Sequence, residues 1–162
     1  MAHSANSVFA TSSLEHPRAF LAIGVAGLIV GMLDLIYAIV VYSPHHPILI
    51  PQVIASGVLG RKSFQDGAAS AVLGVVLHFT IALGAATVYY LASRKFTFLV
   101  HRAVPCGILY GAAVYFFMHL VVLPLSAAPH GHTPLAYAAA EFVEHLFCVG
   151  LPIALSVRYY SS

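Results

Sequence analysis

Fixed charge is what this sequence has least of: seven Lys or Arg and five Asp or Glu among 162 residues, 7% of the chain. A soluble domain carries about a quarter charged residues, and a chain with so few cannot cover its own surface with polar groups. A soluble protein is therefore excluded. No Lys/Arg-rich run is present to follow a phosphate backbone, and a formal charge of +2 is the balance of few charges, so nucleic acid is not a partner this chain suits. The leader Met1 to Pro17 contains no Lys or Arg, and the apolar stretch after it exceeds the roughly 7–15 residues of a signal-peptide core. That leader reads as a frayed, Ser-rich cytoplasmic tail. Repeats, heptads and low-complexity tracts are missing too. So are a nucleophile paired with a base, a phosphate loop and a dinucleotide fingerprint, and the balance leans away from an enzyme.

What is present is apolar residues, 60% of the chain at a mean hydropathy of +0.92, outside the regimes of disorder and of fibres. The partner this composition demands is a lipid bilayer. A span needs about 20 mostly apolar residues, and charges at bilayer depth are costly, so the gaps between charges locate the helices. Four gaps appear: 19–42, interrupted by Asp34; 67–93, without charge; 103–125; and 135–157, which carries Glu141 and Glu144. Cys106 and Cys148 fall within them, where a thiol acts as a small hydrophobe. The short connections predict an all-α, up-down-up-down four-helix bundle. It forms one transmembrane domain over 18–162 behind the tail 1–17. The apolar stretch 48–60 is too short to cross, and Pro51 suits the first turn of a helix lying at the interface or re-entering between spans 1 and 2.

With four spans both termini share one side. That side receives Arg18, Arg94, Lys95, Arg102 and Arg158, and the other only Arg61 and Lys62. The positive-inside rule places both termini in the cytoplasm.

Helical spacing then groups residues on faces. Gly27, Gly31 and Asp34 share one stripe, Gly74 and His78 a second, Gly107, Gly111 and His119 a third; Glu141, Glu144 and His145 lie on one side of the last span. Small residues let helices approach closely in lipid, so these stripes are expected to face inward. Counted at about 1.5 Å per residue from the non-cytoplasmic side, the ionisable residues fall in one layer roughly 9–16 Å deep. His45, His46, His130 and His132 sit in loops on that side and are placed to line an entrance. Imidazole with carboxylate suits a divalent transition ion, so Asp34, His78, His119, Glu141, Glu144 and His145 are candidate metal ligands, or stations of a proton relay. The E-x-x-E-H spacing lacks the first His of an inverzincin. Three other readings stay open: hydrogen bonds between helices with no ligand, a structural protein joined through its glycine faces to a second copy or a larger membrane complex, and a haem b carrier using two of His78, His119 and His145.

The segments I-A-S-G-V-L-G-R-K-S-F from Ile54, H-F-T-I-A-L-G-A-A from His78, C-G-I-L-Y-G from Cys106 and V-L-P-L-S-A from Val122 together resemble a family of small uncharacterised bacterial inner-membrane proteins. The resemblance implies a four-span protein of the bacterial inner membrane and brings no catalytic residues.

Overall fold

A computed structural model describes residues 3–129, 131 and 133–161, with side chains from Arg18 onward. The helices are α1 (His3–Tyr42), α2 (Leu49–Leu59), α3 (Gly67–Lys95), α4 (Phe98–His101), α5 (Ala103–Phe117), α6 (Leu123–Leu125), α7 (Leu135–Glu144) and α8 (Leu151–Ser161), with no strand among the described residues. A π-type turn, Met118–Val122, joins α5 to α6, and a second, His145–Gly150, joins α7 to α8. Four continuous stretches are long and apolar enough to cross a membrane: Arg18–Tyr42, Gly67–Lys95, Ala103–Leu125 and Leu135–Ser161, here spans 1 to 4.

The backbone of α1 runs back to His3, over most of the leader read as a frayed tail. Residues 3–16 hold neither Gly nor Pro, and adding turns to an existing helix avoids the cost of a new nucleus.

Span 1 packs along spans 2 and 4, and span 4 packs along span 3. The buried centre is built of small and β-branched residues, among them Ala26, Val30, Ala86, Val149, Ile153 and Ala154. Large aliphatics such as Leu28, Leu109, Leu120 and Leu125 lie on the outside. This is the arrangement lipid favours: hydrocarbon is as good a solvent for Leu as a protein interior, so helices associate where small side chains let backbones close up.

The glycines show how close that approach is. A Cβ on Gly27 would strike Leu83, and one on Gly31 would strike the Phe79 ring, which sets span 1 on span 2. Gly107, Gly111 and Gly150 bring spans 3 and 4 together: a Cβ on Gly111 would overlap the His145 carbonyl, and one on Gly150 the Gly107 carbonyl and the Gly111 backbone. Gly24, by contrast, has nothing within 4 Å of a Cβ. These faces are filled by the chain's own helices.

Gly74 departs from the expected pattern, because its neighbour is the Pro51 carbonyl of α2 instead of another span. The short helix lies against the first turns of α3, fastened by polar contacts. The Gln52 amide donates to the Gly67 carbonyl at 3.0 Å, the Ser63 hydroxyl to the Gln52 carbonyl at 2.9 Å, and the Ser70 hydroxyl to the Ser63 carbonyl at 2.5 Å. Ser63 and Ser70 are buried, so each hydroxyl is satisfied where no water would serve it. Gly60 and Gly67 have φ of 60° and 58°, left-handed values that let the chain turn at either end of the 3-10 segment Gly60–Phe64. The Ala127 amide donates to the Gly57 carbonyl at 2.9 Å, tying the loop after span 3 to α2.

The two π-type turns share a cause. Leu123 and Leu151 donate to the carbonyls five residues back, Met118 and Leu146. Each turn is followed two residues later by a proline, Pro124 or Pro152. Proline has no N–H, and its ring crowds the carbonyl four residues earlier; a locally widened helix relieves that crowding.

Candidate functional site

The ionisable residues of the spans are brought together as three acid–imidazole pairs instead of one shell. His78 Nε2 stands 3.9 Å from Asp34 Oδ2, His119 Nε2 3.5 Å from Glu141 Oε2, and His145 Nδ1 2.8 Å from Glu144 Oε2. Among the described residues, no three His, Cys, Asp or Glu side chains converge as ligands of a metal ion. The depth count treated the residues as one layer, but side chains at equal depth on four spans need not converge on one point.

Each imidazole is oriented by a backbone carbonyl. His78 Nε2–H donates to the Gly31 carbonyl at 2.9 Å, His119 Nδ1–H to the Tyr115 carbonyl at 3.0 Å, and His145 Nδ1–H to the Glu141 carbonyl at 3.0 Å. Glycine at 31 lets the Phe79 ring lie directly against span 1, next to the His78 contact. His119 and His145 belong to the two π-type turns, and both reach the carbonyl four residues earlier on their own helix. Spending one nitrogen in this way fixes the role of the other. In His119, Nε2 is left facing the Glu141 carboxyl, and a lone pair facing a carboxylate calls for a proton between them.

Glu144 is the most secluded member. Its side chain is 1% exposed, against 9% for His145, 12% for His78, 26% for Asp34, 32% for Glu141 and 29% for His119, so burial increases from the His119–Glu141 pair inward. Although His145 Nδ1 is close, its single proton points at the Glu141 carbonyl. Both carboxyl oxygens of Glu144 therefore have no hydrogen-bond partner among the described residues. A buried carboxyl without a donor is costly unless it holds a proton or borrows one. Here the charge is settled by a proton on Glu144 or by a second proton on the other ring nitrogen of His145, Nε2, since Nδ1, 2.8 Å from Glu144 Oε2, already carries one. Asp34 is close enough to Glu144, His78 and His145 to feel the charge of each.

Asp34, His78 and His145 share the wall of a cavity of about 90 Å³, with Ile54 of α2 as another part of its lining. Water needs only about 10–15 Å³ of such space, so several molecules fit. Small-molecule pockets start near 300 Å³, which leaves no room for a porphyrin between His78 and His145.

Tyr115 stands at the four-residue step between Gly111 and His119 on the inward stripe of span 3, and its ring centroid is 4.2 Å from that of His119 and 5.6 Å from that of His145. Its hydroxyl donates to the Ala138 carbonyl at 3.3 Å, while those of Tyr37 and Tyr42 donate to the Ala140 and Tyr137 carbonyls at 3.4 Å. Three tyrosines thus hold α7 and present Glu141 and Glu144. Spacing alone places Tyr115 there, whereas Gly150 was missed, since it stands one residue off the side that carries Glu141 and His145. Of the expected entrance, His45 and His46 are exposed in the turn between α1 and α2; His130 and His132 lie outside the described residues.

Comparison with protein-family models, with curated proteins and with solved structures finds no match for this chain.

Proposed function

We propose that the protein is a small transport accessory that holds and relays protons in the bilayer, from the His119–Glu141 pair to the inner pairs around the cavity. The observation that carries this reading is the commitment of His119 Nδ1 to the Tyr115 carbonyl, which leaves Nε2 facing the Glu141 carboxyl at 3.5 Å. One pair with a free nitrogen facing a carboxyl, further acid–imidazole pairs graded in burial, and a cavity with room for water suit passage of protons. They do not need a fixed ion.

On this reading the four spans run up-down-up-down, with both termini in the cytoplasm of a bacterium and the short helix α2 set into the outer side as a re-entrant element. The charge split supports the orientation. The ties of α2 and of the loop after span 3 to each other support a common end, and the resemblance to bacterial inner-membrane proteins supports the location. A divalent transition ion is the second reading, favoured by the cavity that Asp34, His78 and His145 line, where a hydrated ion would be held through its waters by side chains that do not themselves converge.

Infrared difference spectroscopy of the purified protein between acid and alkaline buffer tests the proposal. The expected result is a protonated-carboxyl band lost in Glu144→Gln and a second lost in Glu141→Gln. Bands unchanged by both substitutions would overturn it. Zn²⁺ that raises the melting temperature in wild type but not in His78→Ala would select the second reading.

A further inference from the structure

The cavity of about 90 Å³ between the spans is one-sided in its hydrogen bonding. His78 gives its Nε2–H to the Gly31 carbonyl, which leaves Nδ1 with a lone pair, and His145 gives its Nδ1–H to the Glu141 carbonyl, which leaves Nε2 with one. Neither lone pair has a hydrogen-bond partner among the described residues. Both stay accessible, because the only unpartnered side-chain atoms sealed from water among the described residues are the Glu144 oxygens. His145 is itself only 7% exposed, and the open space it borders is this cavity.

Asp34 adds a carboxylate to the same wall, its Oδ2 3.9 Å from His78 Nε2 and so too far for a hydrogen bond. The rest of the lining, from Val30 and Ile54 to Val114 and Met118, is apolar. The cavity therefore offers three acceptors and no free donor. An anion finds nothing there to bind it. The fixed charges in the apolar part of the spans are all acidic, with no Lys or Arg within 19–42, 67–93, 103–125 or 135–157, so positive charge is what the site lacks. A bare transition ion finds no three converging ligands among the described residues. Acceptors spread around a small space are matched by a cation that brings its own N–H donors in several directions.

We infer that the cavity is a binding site for ammonium, whose N–H groups are shared among the Asp34 carboxylate, His78 Nδ1 and His145 Nε2, directly or through a water. Ammonium is close to water in size, at about 30 Å³, and fits with room for one or two waters. Its charge favours the form of the inner pair in which the proton sits on Glu144 and His145 is neutral. The assignment rests on the cavity at the inner end of the proposed relay and does not require protons to pass through it.

Thermal melting of the purified protein in detergent, as ammonium chloride replaces sodium chloride at constant ionic strength and near-neutral pH, tests it. The melting temperature of wild type is expected to rise with the logarithm of the ammonium concentration once the site fills. Potassium chloride is expected to give no such rise: the ion is similar in size but has no N–H, and it asks for several oxygen ligands where only Asp34 supplies them. Asp34→Asn, nearly the same in shape, is expected to lose about thirtyfold or more in ammonium affinity, the scale for removing one partner of a buried charge pair. Val114→Phe takes up cavity space and leaves the three polar groups in place; it is expected to lose the rise as well, read against its own melting point without ammonium. Leu109→Ala, on an exposed face elsewhere, is expected to keep it. No ammonium-dependent rise in wild type would overturn the assignment, and so would an equal rise with potassium. Loss in Asp34→Asn with full retention in Val114→Phe would also overturn it, since the cation would then sit outside the cavity. The infrared bands of Glu141 and Glu144 report separately on the proton reading, so the failure of one is told apart from the failure of the other.

Discussion

Gly111→Ala tests whether spans 3 and 4 meet backbone to backbone at the site. The new methyl group would overlap the His145 carbonyl and press on the Cα of Leu146. Neither is the far end of a flexible side chain, so the strain is relieved only by moving one helix away from the other. Overpacking of a tight contact costs about 1–3 kcal/mol, and a backbone obstacle puts this case at about 3. For a chain of this length each kcal/mol moves the melting temperature by about 2–4 °C, which gives a fall of about 6–12 °C. Gly24→Ala is the matched control: nothing lies within 4 Å of its Cβ, and alanine in a helix gains about 0.5–1 kcal/mol over glycine. Thermal melting in one detergent, followed by helical circular dichroism, compares the two. If Gly111→Ala melts where Gly24→Ala does, the helices do not approach as described, and the placement of His145 by this contact fails with it.

Replacing Glu144 by Leu removes a buried carboxyl that nothing satisfies, so stability should rise by about 1–3 kcal/mol while the carboxyl signal disappears; a fall in stability would mean that the group is paired after all. Gln52→Ala deletes the amide that fastens α2 to Gly67, at about 1 kcal/mol. Hydrogen exchange should then quicken over Leu49–Leu59 and leave α5 unchanged, whereas uniform quickening would make α2 part of the general core. In a background lacking Cys106 and Cys148, Ala128→Cys should react with an impermeant thiol reagent added to intact cells and Thr97→Cys should not. Reversed labelling would invert the orientation.

The spans were legible because they depend on composition: a bilayer tolerates few charges, so the gaps between charges mark the helices to within a few residues. The inward faces were legible in part. Gly27, Gly31, Gly107 and Gly111 lie against neighbouring spans, and periodicity alone names that face. It does not name the neighbour, which is why Gly74 meets Pro51 of α2 and not another span. Nor does it convert depth into contact, so residues counted into one layer separate into pairs. The π-type turns were half visible. Pro152 has no N–H for the Cys148 carbonyl four residues earlier, yet the consequence, a widened turn that carries His145, depends on how the helix accommodates the ring. Pro124 before the end of span 3 repeats the device around His119, and neither turn has a periodic signature.

The relay itself is tested most directly by a pH jump on the reconstituted protein, with the Glu144 carboxyl band followed in time. In wild type the band should change at a rate set by passage through the His119–Glu141 pair, and His119→Ala should slow it by about a factor of ten or more while leaving its final amplitude intact. An identical rate in wild type and His119→Ala would mean that protons reach Glu144 by another path, and would contradict the relay.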